Sequence, residues 1–270
     1  MKKTIWNKLA YVYVAVLTVL TYVPIVLTVV YSFNESKLTT VWGGFSLKWY
    51  QELFRDKDLL EALINSLILA GLSCLSAVVI GTTGALGMHR RKNKLDSSIS
   101  GLAVLPIMIP EIILGMVFLS IFSFMNLPFG MLTLVIAHTT FCVPYVFSMV
   151  RARLVGMDKS LEEAALDMGA SPVRVFFDIT LPLIMPAILS GVMLAFAMSF
   201  DDVVISIFVT GPKVNTLPIK IYTQIKTGVT PEINALATMM LLITVLLLTG
   251  SALIGRKGKN VPDKKQEETG

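Results

Sequence analysis

A chain of 270 residues, 54% hydrophobic and only 15% charged, with a mean hydropathy of +0.74, is too apolar for an ordinary soluble domain. Its formal net charge of +5 would suit a nucleic-acid partner, but the basic residues sit in short runs between apolar stretches, a pattern of membrane orientation that points away from nucleic acid. The two cysteines, Cys74 and Cys142, both fall inside apolar runs, so neither a disulfide framework nor a thiolate metal site is indicated.

The first apolar run covers roughly Leu9 to Tyr31, after Lys2, Lys3 and Lys8. It is long enough to cross a hydrocarbon core of about 30 Å, and no A-x-A-like cleavage site follows, so we read an uncleaved first helix rather than a signal peptide. Residues 32–60 are mixed, with Trp42, Trp49 and Tyr50 as expected interfacial anchors and a short amphipathic surface helix over Ser46 to Phe54. A second span runs from about Leu63 to Met88, and its Gly71, Gly81, Gly84 and Gly87 suit close helix packing in a bilayer. After the basic loop His89 to Lys94 comes a third span, about Ile99 to Met125, which Pro106 and Pro110 should kink. The fourth covers Gly130 to Val150, the fifth about Leu183 to Val209 and the sixth about Ile233 to Ile254. A charged tail from Arg256 is expected to be unstructured. The expected fold class is thus all-α: a polytopic membrane protein with six transmembrane helices over 9–254, between a cytoplasmic N-terminus (1–8) and a cytoplasmic tail (255–270).

Charge placement sets the expected orientation. With the N-terminus inside, cytosolic segments hold 16 of the 23 lysines and arginines, in accord with the positive-inside rule. This places the polar stretch from Ser160 to Pro182, between the fourth and fifth spans, in the cytosol.

That stretch reads as two short helices joined at a bend. Ser160 followed by Glu163 is a capping-box spacing, and Gly169 suits the left-handed position just past a helix end. Ser171-Pro172 reads as an N-cap with proline at the first helical position. Leu161, Ala165 and Met168 share one face of the first helix, and Val173, Phe176 and Phe177 form a stripe on the second. Helices this short need something to pack against. Each of these positions also has an ordinary structural explanation as cap, filler or stop.

Taken together, Glu163-Ala164-Ala165, Gly169 and Ile179-Thr180-Leu181-Pro182 resemble the EAA signature of ABC-importer permeases. The resemblance implies a type I importer permease fold in which residues 158–182 form coupling helices seated on a separate ATP-binding subunit. Glu162, Glu163, Ala164, Ala165, Gly169, Ala170, Ser171 and Pro172 are then the expected coupling residues. No phosphate-loop motif occurs in the chain, so ATP and Mg belong to the partner, and no cofactor and no metal is expected here. Neither H-E-x-x-H nor G-x-S-x-G is present, and no catalytic residue is proposed. His138, alone in the fourth span, reads as a packing or interhelix hydrogen-bonding residue.

Acidic residues inside the spans carry the substrate argument. Asp201 and Asp202 lie in the fifth span and Glu111 directly follows Pro110. A carboxylate at the centre of a bilayer costs about 2.5–3.5 kcal/mol on insertion scales, so such residues mark cavities or positive partners. With no basic residue expected near the middle of any span, an acid-lined path suits a cationic solute. Phe196, Phe200 and Tyr145 would offer aromatic faces to it. The alternative is that the aspartates cap a helix break or pair with a neighbouring subunit's cation.

The stretches SFDDVVISIFVTGP (Ser199 to Pro212), Leu217 to Thr238 and His138 to Phe147 narrow the resemblance to the second permease subunit of spermidine/putrescine ABC importers. It implies a homologous sister permease, two copies of an ABC ATPase and an extracytoplasmic polyamine-binding protein, docking on residues 32–60 and 210–232, with the assembly in the bacterial inner membrane. Alternatives left open are a permease for another solute (putrescine alone, ferric iron or thiamine) and a stand-alone channel or secondary transporter.

Overall fold

The computed structural model describes residues 2–37, 41–90, 96–158, 160–227 and 231–257. These are helical almost throughout; among the described residues the only β-type pairing is an isolated bridge between Asn34 and Phe45. In chain order the helices are α1 (Lys2–Tyr31), α2 (Lys48–Arg55), α3 (Lys57–Arg90), α4 (Asp96–Met108), α5 (Glu111–Phe124), α6 (Met131–Val155), α7 (Ser160–Asp167), α8 (Pro172–Val175), α9 (Leu181–Asp201), α10 (Val204–Val209), α11 (Leu217–Thr227) and α12 (Pro231–Lys257). A single π-helical turn, Phe176–Thr180, joins α8 to α9 without a break.

Four of these segments are long and apolar enough to cross a bilayer: Trp6–Tyr31, Lys57–His89, Met131–Val155 and Pro172–Asp201. A fifth is the pair Ser98–Met108 and Glu111–Phe124, bent by 102° at the residues between them. The bend falls at Pro110, whose φ of −53° and ψ of 132° leave the helical region, whereas Pro106 lies inside α4 without ending it. Where the sixth span is expected, the described residues hold a shorter apolar helix, Pro231–Leu246, which does not reach the length of the others. The fifth span differs from the expected one at both ends. It begins already at Pro172, and it stops at Asp201 rather than running on to Val209.

The chain forms two compact units. The first comprises residues 1–61 and 220–243. Within it specific bonds tie residues 32–34 to residues 45–50: Trp49 Nε1 donates to the Asn34 carbonyl at 2.6 Å, Ser32 and Tyr50 share a 2.7 Å hydrogen bond, and Phe33 stacks on Phe45 and lies tilted against Tyr50. Trp49 is therefore buried. Of the expected interfacial anchors only Trp42 is exposed; Phe45, Leu47 and Phe54 present apolar surface there instead.

The second unit, residues 62–219 and 244–270, is centred on α6, whose Leu134, Ala137, Cys142, Val146, Val150 and Leu154 are fully buried. α9 packs along α6, α4 packs against α6 and α10 against α5. Lipid tails are as apolar as leucine, so helix association in a bilayer rests on close packing and interhelical hydrogen bonds rather than on removing apolar surface from water. Two glycines provide that closeness. A Cβ at Gly191 would lie 2.9 Å from the Val146 Cα, and one at Gly81 3.0 Å from the Phe147 backbone nitrogen. Gly71 and Gly87, expected to serve the same purpose, face open space within the chain.

Residues 91–94 of the basic loop, parts of the expected docking loops (38–40 and 228–230) and the tail from 258 lie outside the described residues.

Candidate functional site

Two places in the second unit gather the candidate residues. The first is the elbow formed by α7, α8 and the turn that joins them. α7 ends in a Schellman motif: Gly169 takes φ +85°, Ala170 N–H donates to the Ala165 carbonyl at 3.1 Å and Gly169 N–H to the Leu166 carbonyl at 2.9 Å. Ser171 then caps α8 as expected, its hydroxyl accepting from Arg174 N–H at 3.3 Å with Pro172 at the first helical position. At the other end of α7 the cap differs from the expected one. Ser160 is itself helical, and its N–H donates to Asp158 Oδ1 at 3.0 Å. That bond holds the exposed Asp158 carboxyl below its ordinary pKa.

The apolar stripes of the elbow point outward. Leu161, Val173 and Phe177 are half or more exposed and Met168 is 90% exposed. Ala165, Met168, Gly169, Ala170 and Arg174 line a groove of about 260 Å³ in its bend. The two adjacent glutamates divide their work: Glu163 is exposed, while Glu162 Oε1 accepts from the buried Thr180 hydroxyl. Glu162, expected among the coupling residues, is thus engaged inside the elbow. At the foot of α9, Arg153 Nε donates to the Leu183 carbonyl at 2.9 Å, tying the end of α6 to the start of α9.

The second place is the break between α9 and α10. Asp202 leaves the helical conformation (ψ 124°) and caps α10. Ile205 N–H donates to its Oδ1 at 3.2 Å, and Ser206 donates both its N–H and its hydroxyl to Oδ2, each at 2.8 Å. His138, fully buried on α6, places Nε2 3.4 Å from the same oxygen. Asp202 is 9% exposed; it caps the break, one of the two alternatives left open for the pair, and faces His138 of its own chain rather than a neighbouring subunit's cation. His138 is the interhelix hydrogen-bonding residue expected in the fourth span, and it gives Asp202 a partner within the chain. Its pairing with Asp202 joins residues too far apart in the chain for any local pattern to show.

Asp201, one residue earlier, is exposed. Glu111 is exposed at the first turn of α5, where the helix N-terminus favours negative charge. Its carboxylate lies within electrostatic range of both aspartates, and half-buried Tyr145 lies within range of Glu111. Phe200 contradicts its expected role: at 1% exposure it is buried and stacked on Phe196 one turn earlier, so its ring is not free for a solute. Among the described residues no group of three or more His, Cys, Asp or Glu could hold a metal ion.

Residues 77–256 match the family described as the binding-protein-dependent transport system inner membrane component. The chain is 45% identical over 227 residues, 82% of its length and 81% of the relative's, to the putrescine transport system permease protein PotI of Escherichia coli K12. It is 40% identical over 249 residues, 92% of each chain, to the spermidine/putrescine transport system permease protein PotC of the same organism. The chain belongs to this permease family.

Solved structures agree on the fold. A bacterial alginate ABC transporter in complex with its pentasaccharide-bound periplasmic protein superposes with a TM-score of 0.73 at 17% identity, covering 96% of each chain. The methionine ABC transporter MetNI in an inward-facing conformation gives 0.64 at 18%, covering 79% of this chain and 99% of that one. The type I importer permease fold, with several apolar spans, makes this a multi-pass membrane protein, and as a permease it is a transport subunit rather than an enzyme.

Proposed function

We propose that this permease forms half of the translocation path of an ATP-driven polyamine importer and receives its drive through the α7–α8 elbow. The observation that carries the reading is the acidic face left open at the α9–α10 break. Asp201 and Glu111 are exposed and within electrostatic range of each other, Tyr145 is within range of Glu111, and Asp201 has no ion-pair partner among the described residues. A protonated amine satisfies such a pair without further counter-charge, and an aromatic ring adds a cation–π face. The relatives named for putrescine and spermidine/putrescine transport support the same solute class.

Residues 160–180 serve as the lever. Outward-facing Leu161, Met168, Val173 and Phe177 form an apolar surface of the kind that marks a protein partner. Exposed Glu163 and the groove beside Ala165 complete the docking face for an ABC ATPase, which supplies ATP and Mg. The full assembly contains a homologous sister permease, two ATPase copies and an extracytoplasmic polyamine-binding protein, with both termini of this chain in the cytoplasm. Closure of the ATPase pair moves the elbow as a rigid body and exchanges the open face of the path.

The test is uptake of labelled putrescine and spermidine by cells carrying the whole system with Asp201→Asn in this chain. Loss of uptake with the ATPase still co-purifying supports the reading; unchanged uptake of both amines removes it.

A further inference from the structure

His138 has a place in the fold that neither the docking elbow nor the acidic face uses. Its imidazole is fully buried. Nδ1 lies 2.8 Å from the hydroxyl of Ser199, in the last turn of α9, and Nε2 lies 3.0 Å from the hydroxyl of Ser206 on α10. The two serines stand on opposite sides of the break at Asp202. One side chain of α6 therefore holds both segments of the interrupted span.

The Ser206 hydroxyl donates to Asp202 Oδ2, so it is an acceptor for Nε2–H. The bond between Nδ1 and the Ser199 hydroxyl forms with either partner as donor. A chain of hydrogen bonds thus runs from α9 through the imidazole to α10 and ends on the carboxylate that caps the break. α10 has a second tie to α6, the Thr133 hydroxyl donating to the Val209 carbonyl at 2.8 Å. Without His138, α10 stays fastened to α6 by Thr133 while the final turn of α9 loses the Ser199 tie. Asp201 is the last residue of that turn.

We propose that His138 is a positioning residue for translocation: it latches the two halves of the broken fifth span to α6 and so fixes where Asp201 presents its carboxylate. This rests on the reading of Asp201 as a path residue, and the experiment separates the two.

The probe is the rate at which a cysteine at position 201 reacts with a positively charged, membrane-impermeant methanethiosulfonate in the assembled importer; the native Cys74 and Cys142 are buried. Adding His138→Ala to Asp201→Cys should change that rate by at least about tenfold, the scale set by deleting a buried hydrogen-bond partner. His138→Gln, which keeps a donor near the Nε2 position, should fall between the two. Equal rates in all three backgrounds overturn the latch. Where His138→Ala fails to accumulate in membranes, Ser199→Ala takes its place, with the same expected shift and the same contradicting result. Uptake by Asp201→Asn is read in parallel. Normal uptake there with a shifted labelling rate keeps the latch and removes the path reading, whereas lost uptake with an unshifted rate does the reverse.

Discussion

Glu162 on α7 and Thr180 at the foot of α9 share a hydrogen bond across eighteen positions of sequence, the Thr180 hydroxyl donating to the Glu162 carboxylate. It closes the elbow on itself and joins α7 to the start of the fifth span. Its neighbour Glu163 remains exposed, so two adjacent acids have separate roles.

Glu163→Lys should abolish co-purification of the ATPase, or the drive it delivers, while the permease still inserts. The bond between Glu162 and Thr180 is a single tie worth about 1.5–3 kcal/mol, the net value of a hydrogen bond to a charged group. Thr180→Val should therefore leave assembly intact and raise ATP hydrolysed per amine imported. Both are read on the purified complex by subunit stoichiometry and by ATP turnover against uptake. Normal stimulated transport by Glu163→Lys would contradict the docking role.

Asp201 and Asp202 should part company in the same way. Asp201→Asn should cut polyamine uptake severalfold or more with no change in thermal unfolding. Asp202→Ala removes the acceptor of three hydrogen bonds at the α10 start and should lower stability by about 1–3 kcal/mol, the cost of leaving buried donors unpaired. Thermal unfolding of the detergent-solubilised protein distinguishes them; an unaltered midpoint in Asp202→Ala would contradict the capping role.

What was legible in the residues follows the range of the interactions. The Gly169 bend and the Ser171-Pro172 start involve residues within a few positions of one another, and both occur where the pattern places them. The pairing of His138 with Asp202 and the two serines depends on how α6 meets α9 and α10, which no local spacing encodes. Phe200 shows the same limit. In an apolar span an aromatic neighbour of an aspartate looks equally suited to path and core, and only tertiary packing makes it core. Ser160 failed for a subtler reason: Asp158, two residues earlier, supplies a stronger charged acceptor and takes the first N–H.

The glycines of the spans give a contrast within one residue type. A Cβ at Gly191 would meet the Val146 backbone at 2.9 Å, which neither partner can relieve by a side-chain rotation, whereas one at Gly71 meets nothing within 4 Å. Gly191→Ala should destabilise the protein by about 1–3 kcal/mol through overpacking, and Gly71→Ala should leave the isolated permease unaffected. Unfolding midpoints of the two variants against the parent decide the matter.

Gly169 differs again, since its added Cβ would also meet nothing but its backbone sits at φ +85°. Gly169→Ala should cost about 1–2 kcal/mol of left-handed strain, felt at the elbow alone. ATP-driven uptake should fall while the unfolding midpoint of the spans stays put; a variant that transports at the parental rate would show that the bend angle does not matter.

The most direct measurement is accumulation of labelled putrescine and spermidine in proteoliposomes holding the co-purified complex, with the binding protein outside and ATP supplied to the ATPase face. The account predicts uphill accumulation that requires ATP and is lost with Glu163→Lys in this chain. Equal accumulation without ATP or without the ATPase subunit would contradict it.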